Sequence, residues 1–246
     1  MIKMKIDSVD RNNRNTPILS KEKIEKFARD VLKDYKPHLL DAPGAVRYQH
    51  FLENYCELTL LFRDIYYDDP DSPIFGMIIF RGCTVEMFDY ENERVKHEIF
   101  RPNTAIIDNY LLEPGKERLA NSAGCHEGGH CLMHSGVTFK PGEILCRREN
   151  IEGAVMRSIH GMNTEWLEFQ AYYFTSCLTM PKDTLLPLVY DFLRKHDVWK
   201  SCIKLGLNED LNILGKDLLP EYVAETYGVT KRAAFNRLKG IGFIEI

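Results

Sequence analysis

Apolar residues recur at helical spacing from Ser20 onward. Ile24, Phe27, Ala28, Val31, Leu32 and Tyr35 share one face, and Pro37 stops the run, which predicts an amphipathic helix. The stretch "AVRYQHFLENY" predicts a second, short helix. Four stretches then change character: "CELTLLFRDI", "IFGMIIF", "CTVEMFD" and "TAIIDNYLL" are rich in β-branched and aromatic residues and are punctuated by "DDPDSP", "RG" and "RPN". Those are strand signals, and they predict a small, mostly antiparallel sheet. From Gly115 the period is helical again. One helix carries a cluster of histidines, an irregular stretch covers 135–162, a helix runs from Asn163 to Met180, and another follows Pro181. Strands and helices are segregated along the chain, so the expected class is α+β rather than a doubly wound sheet.

The polar, turn-prone stretch "LNEDLNILGKDLLP" marks the one plausible boundary. It divides the chain into a main domain at 1–207, a linker at 208–217 and a tail at 218–246. The tail reads as helix, turn, helix. Val223, Ala224 and Tyr227 lie on one side, Gly228 is at the turn, Thr230 is the N-cap, and Ala233, Ala234 and Leu238 point inward. Lys231, Arg232, Asn236 and Arg237 are expected to face out of the second helix, the arrangement of a helix-turn-helix. DNA binding is one reading of that face. A cap that packs on the main domain or docks a protein is the preferred one.

The stretch "AGCHEGGHCLMHSG" carries three histidines at four-residue intervals. Positions four apart on an α-helix lie about 40° apart around the axis and about 6 Å apart along it, so the His126 and His130 imidazoles can reach one ion. Two neutral imidazoles and a carboxylate suit zinc and leave a fourth position open. Glu127 projects beside that position, where a carboxylate can take a proton from water and return it to a leaving amine. Gly128 and Gly129 each cost a helix about 1 kcal/mol relative to alanine, and the expectation is that these small residues keep the approach to the metal open. His134 lies a turn too far for tetrahedral geometry and is read as a neighbour of the site or a plain helix-terminal histidine. The third ligand is expected from the helix "NTEWLEFQAYYFTSCLTMP", where Glu165 and Glu168 are the candidates.

Composition narrows the class further. With 246 residues, 44% of them hydrophobic, the chain can bury a full core. A net charge of -4 gives no global pull toward nucleic acid or an anionic membrane. The start, "MIKMKIDSVDRNNRN", is charged where a secretory signal would be apolar, and no apolar run approaches a membrane span, so a cytoplasmic protein is expected. The seven cysteines are scattered without a Cys-x-x-Cys spacing, which predicts reduced packing residues rather than disulfides or thiolate ligands.

His126-Glu-Gly-Gly-His130 followed by "EFQAYYFTSCLTMP" resembles the ImmA/IrrE family of zinc metallopeptidases. The resemblance implies a zincin-like helical core and one Zn2+ per chain. It also implies Glu168 as third ligand, with Ala171, Phe174, Met180 and Pro181 matching the family helix. It further implies a metallo-endopeptidase whose substrate is a protein, typically a helix-turn-helix repressor of a mobile element or stress response. The chain departs from the family's Arg-Phe-Thr before the first histidine, having Asn121, Ser122 and Ala123, and Tyr172 follows the helix alanine. Those departures motivate an alternative: a catalytically weak, metal-binding regulator that acts by binding a repressor or DNA. A donor for the developing oxyanion is also needed, and Tyr172, Tyr173, His160 and His134 are all chemically able.

Overall fold

A computed structural model describes residues 1–5, 9–10, 16–71, 73–137, 145–148, 164–198 and 202–246. The protein is α+β, and it divides into two compact units: residues 1–24 with 47–175, and residues 25–46 with 176–246.

The first unit opens with a two-residue antiparallel pairing of β1 (Val9–Asp10) with β2 (Thr16–Pro17). Helix α1 (Lys21–Tyr35) starts where the Ser20 hydroxyl accepts from the Lys23 amide at 3.2 Å, and it runs on into the second unit. Such a cap contributes about 1 kcal/mol. The short second helix is α2 (Tyr48–His50), continued by a wider turn over Phe51–Tyr55 in which the Phe51 and Tyr55 rings stack at 5.7 Å.

The main sheet has the order β3 (Thr59–Arg63), β7 (Thr104–Asp108), β4 (Ile74–Ile79), β8 (Leu145–Arg148). β3 runs parallel to β7, while β4 is antiparallel to both of its neighbours, so this sheet is mixed, with antiparallel pairing in the majority. Its two central strands explain their own sequences. Every residue of β4 and β7 is buried, which is why "IFGMII" and "TAIID" read as nearly continuous apolar runs instead of alternating ones. A separate hairpin pairs β5 (Cys83–Asp89) with β6 (Arg94–Phe100). Val85, Met87 and Phe100 of this hairpin join Ile65, Ile74, Met77, Ile79 and Ile106 in one core. Asp108 closes β7 by accepting from the amides of Ile65 at 2.8 Å and Tyr110 at 2.9 Å. The histidine-bearing helix is α3 (Glu117–His134), which packs on β4, and α4 (Thr164–Thr179) follows it, its last turn in the second unit.

The second unit holds α5 (Lys182–Lys195), then β9 (Ile203–Lys204) paired in parallel with the C-terminal β10 (Ile244–Glu245). Residues 208–217 are largely helical. Asn208 caps α6 (Glu209–Ile213), a wider turn spans Leu214–Leu218, and α7 (Leu219–Tyr227) begins directly after it. Gly228 ends α7 in the left-handed region at φ 63°, and Thr230 caps α8 (Lys231–Gly240) by accepting from the Ala233 amide at 3.1 Å. α7 and α8 share one core with α5: Leu185, Val189, Leu193, Val223, Tyr227, Ala234 and Leu238 cluster together.

Arg237 does not face outward as the tail pattern predicts. It is 2% exposed, donates to the carbonyl of Met180 at 3.2 Å, and forms an ion pair with Glu25. Its neighbours in the sequence, Arg232 and Asn236, are exposed. An arginine and a leucine at 237 and 238 both lie inward, because the guanidinium finds a part-buried carboxylate that no local pattern announces. Among the described residues no helix is long and apolar enough to cross a membrane.

Candidate metal centre

Helix α3 has no solvent face over its last four turns: every residue from Ala120 to His134 is buried. Glycines make that possible. A Cβ on Gly124 would lie 2.2 Å from the Tyr48 ring, one on Gly128 would lie 2.4 Å from the Phe51 ring, and one on Gly129 would lie 3.0 Å from Phe174. Gly128 and Gly129 therefore do not hold open an approach to a metal, as the sequence suggests. They let α3 sit against the 48–55 segment on one side and against α4 on the other, where Gly129 meets the backbone of Ala171.

That close crossing of α3 and α4 brings three side chains together. His126 Nε2 and His130 Nε2 are 3.0 Å apart. Glu168 reaches across from α4, with Oε2 2.9 Å from His126 Nε2 and Oε1 3.3 Å from His130 Nε2. The imidazoles are 2% and 0% exposed, and the Glu168 side chain, at 18%, is where the group meets solvent. Among the described residues these three form a group whose ligand atoms all lie within 4.8 Å of one another.

The group fits a divalent ion. Ligand atoms about 2.0–2.1 Å from zinc in tetrahedral directions stand about 3.3 Å apart, close to the three separations here. Two imidazoles and one carboxylate are also the donor set that zinc takes in sites with an open position. Burial alone would raise the pKa of Glu168, but the imidazoles of His130 and His126 outweigh it and bring it well below the usual carboxylate range.

Glu127 is 0% exposed, and its carboxylate lies against Gly76 of β4. His134 is not a third ligand. Its Nδ1 lies 2.9 Å from His130 Nδ1, on the far side of that ring from Glu168, and its Nε2 lies 3.1 Å from Gln170 Oε1. Burial, followed by the neighbouring His130, lowers the His134 pKa to about 3, so this ring is neutral. With both ring nitrogens engaged it is also removed from the oxyanion candidates. Tyr172 is 39% exposed, while Tyr173 stacks on Phe169 at 6.1 Å. His160 and the side chain of Glu165 lie outside the described residues.

Asn121, one of the departures before the first histidine, accepts from the Tyr48 amide at 3.0 Å and so ties α3 to the start of α2. Gln170 is the residue that sequence reasoning missed. The spacing carries no signal for it, since two residues beyond Glu168 on a helix is about 200° around the axis, and only the tertiary contact with His134 reveals it. No family model matches the chain, and neither does any curated protein or solved structure.

Proposed function

We propose that the protein is a zinc-dependent endopeptidase of the ImmA/IrrE type, acting on a protein substrate. The observation that carries this reading is the convergence of His126, His130 and Glu168 from two helices, with Glu127 between the histidines in the sequence. When bound, zinc supplies the Lewis acidity that makes water nucleophilic near neutral pH. His126 Nε2, His130 Nε2 and the Glu168 carboxylate would hold it. Glu127, buried next to the pair, takes a proton on a carboxylate oxygen and returns it to the amine nitrogen of the departing peptide. The helices exclude bulk water from the two imidazoles and hold them oriented. A structural zinc site would fill its coordination sphere with protein ligands and would need no such base.

A helix-turn-helix repressor is the proposed substrate, on the resemblance of the two motif helices. The DNA-binding alternative draws on the tail, and there Arg237 is bound to Glu25 and Lys231 to Asp217, so Arg232 and Asn236 are the exposed members of such a face.

The test begins with metal content by mass spectrometry on untagged protein. Wild type should carry about one zinc per chain and Glu168→Ala much less. Wild type should then cleave a repressor encoded beside its own reading frame, and Glu127→Gln should bind it without cutting. Iron in place of zinc, or cleavage that survives Glu127→Gln, would overturn the reading.

A further inference from the structure

The hydrogen bonds behind His130 have one consistent direction, and it starts at a group that can only accept. The carbonyl of Pro17 receives the Gln170 side-chain N–H at 2.8 Å and the Trp166 indole N–H at 3.1 Å. Gln170 must therefore turn its amide nitrogen toward Pro17, which leaves its carbonyl oxygen facing His134 Nε2 at 3.1 Å. His134 is 0% exposed and neither of its nitrogens meets a carboxylate, so the ring stays uncharged: it carries its single proton on Nε2, toward Gln170, and accepts at Nδ1. Across the 2.9 Å contact, His130 Nδ1 has to be the donor. Its Nε2 is left with a bare lone pair, aimed at His126 and Glu168.

We infer that His134 and Gln170 are positioning residues: a relay from the Pro17 carbonyl through Gln170 and His134 that fixes His130 as the Nδ1–H tautomer before any metal arrives. The relay is deeply buried, with His130, His134 and Gln170 each 0% exposed, so water does not compete for these bonds. It differs from a carboxylate-backed histidine in being uncharged along its length. It also runs between three parts of the chain, because Pro17 belongs to β2, the histidines to α3 and Gln170 to α4. An imidazole free to choose would divide its proton between its two nitrogens, and only one of those forms can ligate through Nε2. This role deepens the zinc reading proposed above and rests on it for its purpose, though not for its geometry.

The experiment reads the tautomer directly. Metal-free full-length protein labelled with 15N-histidine is examined by long-range 1H–15N correlation NMR. His130 should be protonated on Nδ1 and His134 on Nε2. His134→Phe fills the space without an acceptor and should lose the fixed His130 tautomer, with zinc affinity about 10–100-fold weaker in a chelator competition. His134→Asn offers a side-chain carbonyl near the place of Nδ1 and should restore both the tautomer and most of the affinity. Gln170→Leu, one bond further from the site, should release the His134 tautomer and weaken zinc in the same direction. A His130 ring protonated on Nε2 in the wild type would overturn the relay, as would a His134→Phe variant with unchanged His130 tautomer and unchanged affinity. The NMR arm needs no metal, so wild-type protein that refuses zinc overturns the peptidase reading and leaves the relay to be decided by its own spectrum.

Discussion

A Cβ built on Gly76 would stand 2.9 Å from Oε1 of Glu127 and 3.2 Å from its Cγ. Gly76 lies in the middle of β4, where its missing side chain makes the space that the Glu127 carboxylate occupies. The β4–β8 register shifts between Ile74 and Gly76, so the strand is irregular where it meets this residue.

Gly76→Ala is therefore expected to move the carboxylate rather than the fold. The end of a flexible side chain yields at small cost, so the melting temperature and zinc content should stay close to wild type. On the proposed peptidase reading, cleavage should drop about 10–100-fold, since that reading makes Glu127 the proton-transfer group and displacing such a group by about 1 Å costs that much. Side-by-side melting curves, metal content and cleavage rates check this. A drop in zinc content would show that Gly76 supports the ligands instead.

Gly128→Ala should behave in the opposite way. Helix propensity favours alanine by about 1 kcal/mol, but the new methyl would overlap the Phe51 ring, which is itself stacked on Tyr55. Overpacking a filled core costs about 1–3 kcal/mol, so the net effect is destabilisation measurable in urea. Gly240, at the end of α8, has nothing within 4 Å of its Cβ position, and Gly240→Ala serves as the neutral control.

The ion pair of Arg237 with Glu25 sets a pH dependence. Burial acts to raise the Glu25 pKa, but the bonds from Arg237 and Lys182 prevail and lower it below its ordinary 4.5. A carboxylate whose folded pKa is depressed contributes stability that is present above the unfolded value and is lost as pH falls through the folded one. Glu25→Gln should cost about 3 kcal/mol at pH 7, since it leaves a buried guanidinium without its charge partner. The gap between variant and wild type should close progressively below about pH 4.5, as the native carboxyl itself takes a proton. Denaturation curves at pH 7, 5 and 3.5 test this; a gap that stays constant would remove the ion pair from the explanation.

Metal removal should also register in stability. Zinc that binds only the folded chain adds about 2.7 kcal/mol at a free concentration 100 times its dissociation constant. Calorimetry with zinc and with a chelator should show that shift in wild type and a much smaller one in Glu168→Ala.

Much of the helical skeleton and of the candidate metal-holding group was legible, because helix periods and four-residue histidine spacing are local properties. Ser20, Gly228 and Thr230 each act as the turn or cap their residue types predict. β6 escaped notice because "RVKHEIF" carries three charged residues on a half-exposed hairpin strand, and only Phe100 is buried. The parallel partner of β7 was equally invisible, since β3 and β7 are separated by three other strands in the chain. Around the site, the roles of Gly76, Gly128 and Gln170 depend on which rings and carboxylates lie opposite them. Those facts belong to the tertiary structure, as does the inward turn of Arg237.

Because α3 is enclosed on all sides from Ala120 to His134, its amide protons can meet solvent only when a larger part of the first unit opens. Deuterium should therefore enter this segment last, well after it has labelled the β5–β6 hairpin. The two histidines ride on the slowest-exchanging stretch of the unit, so their spacing is held for as long as that stretch stays closed, while the Glu168 side keeps the group in reach of solvent.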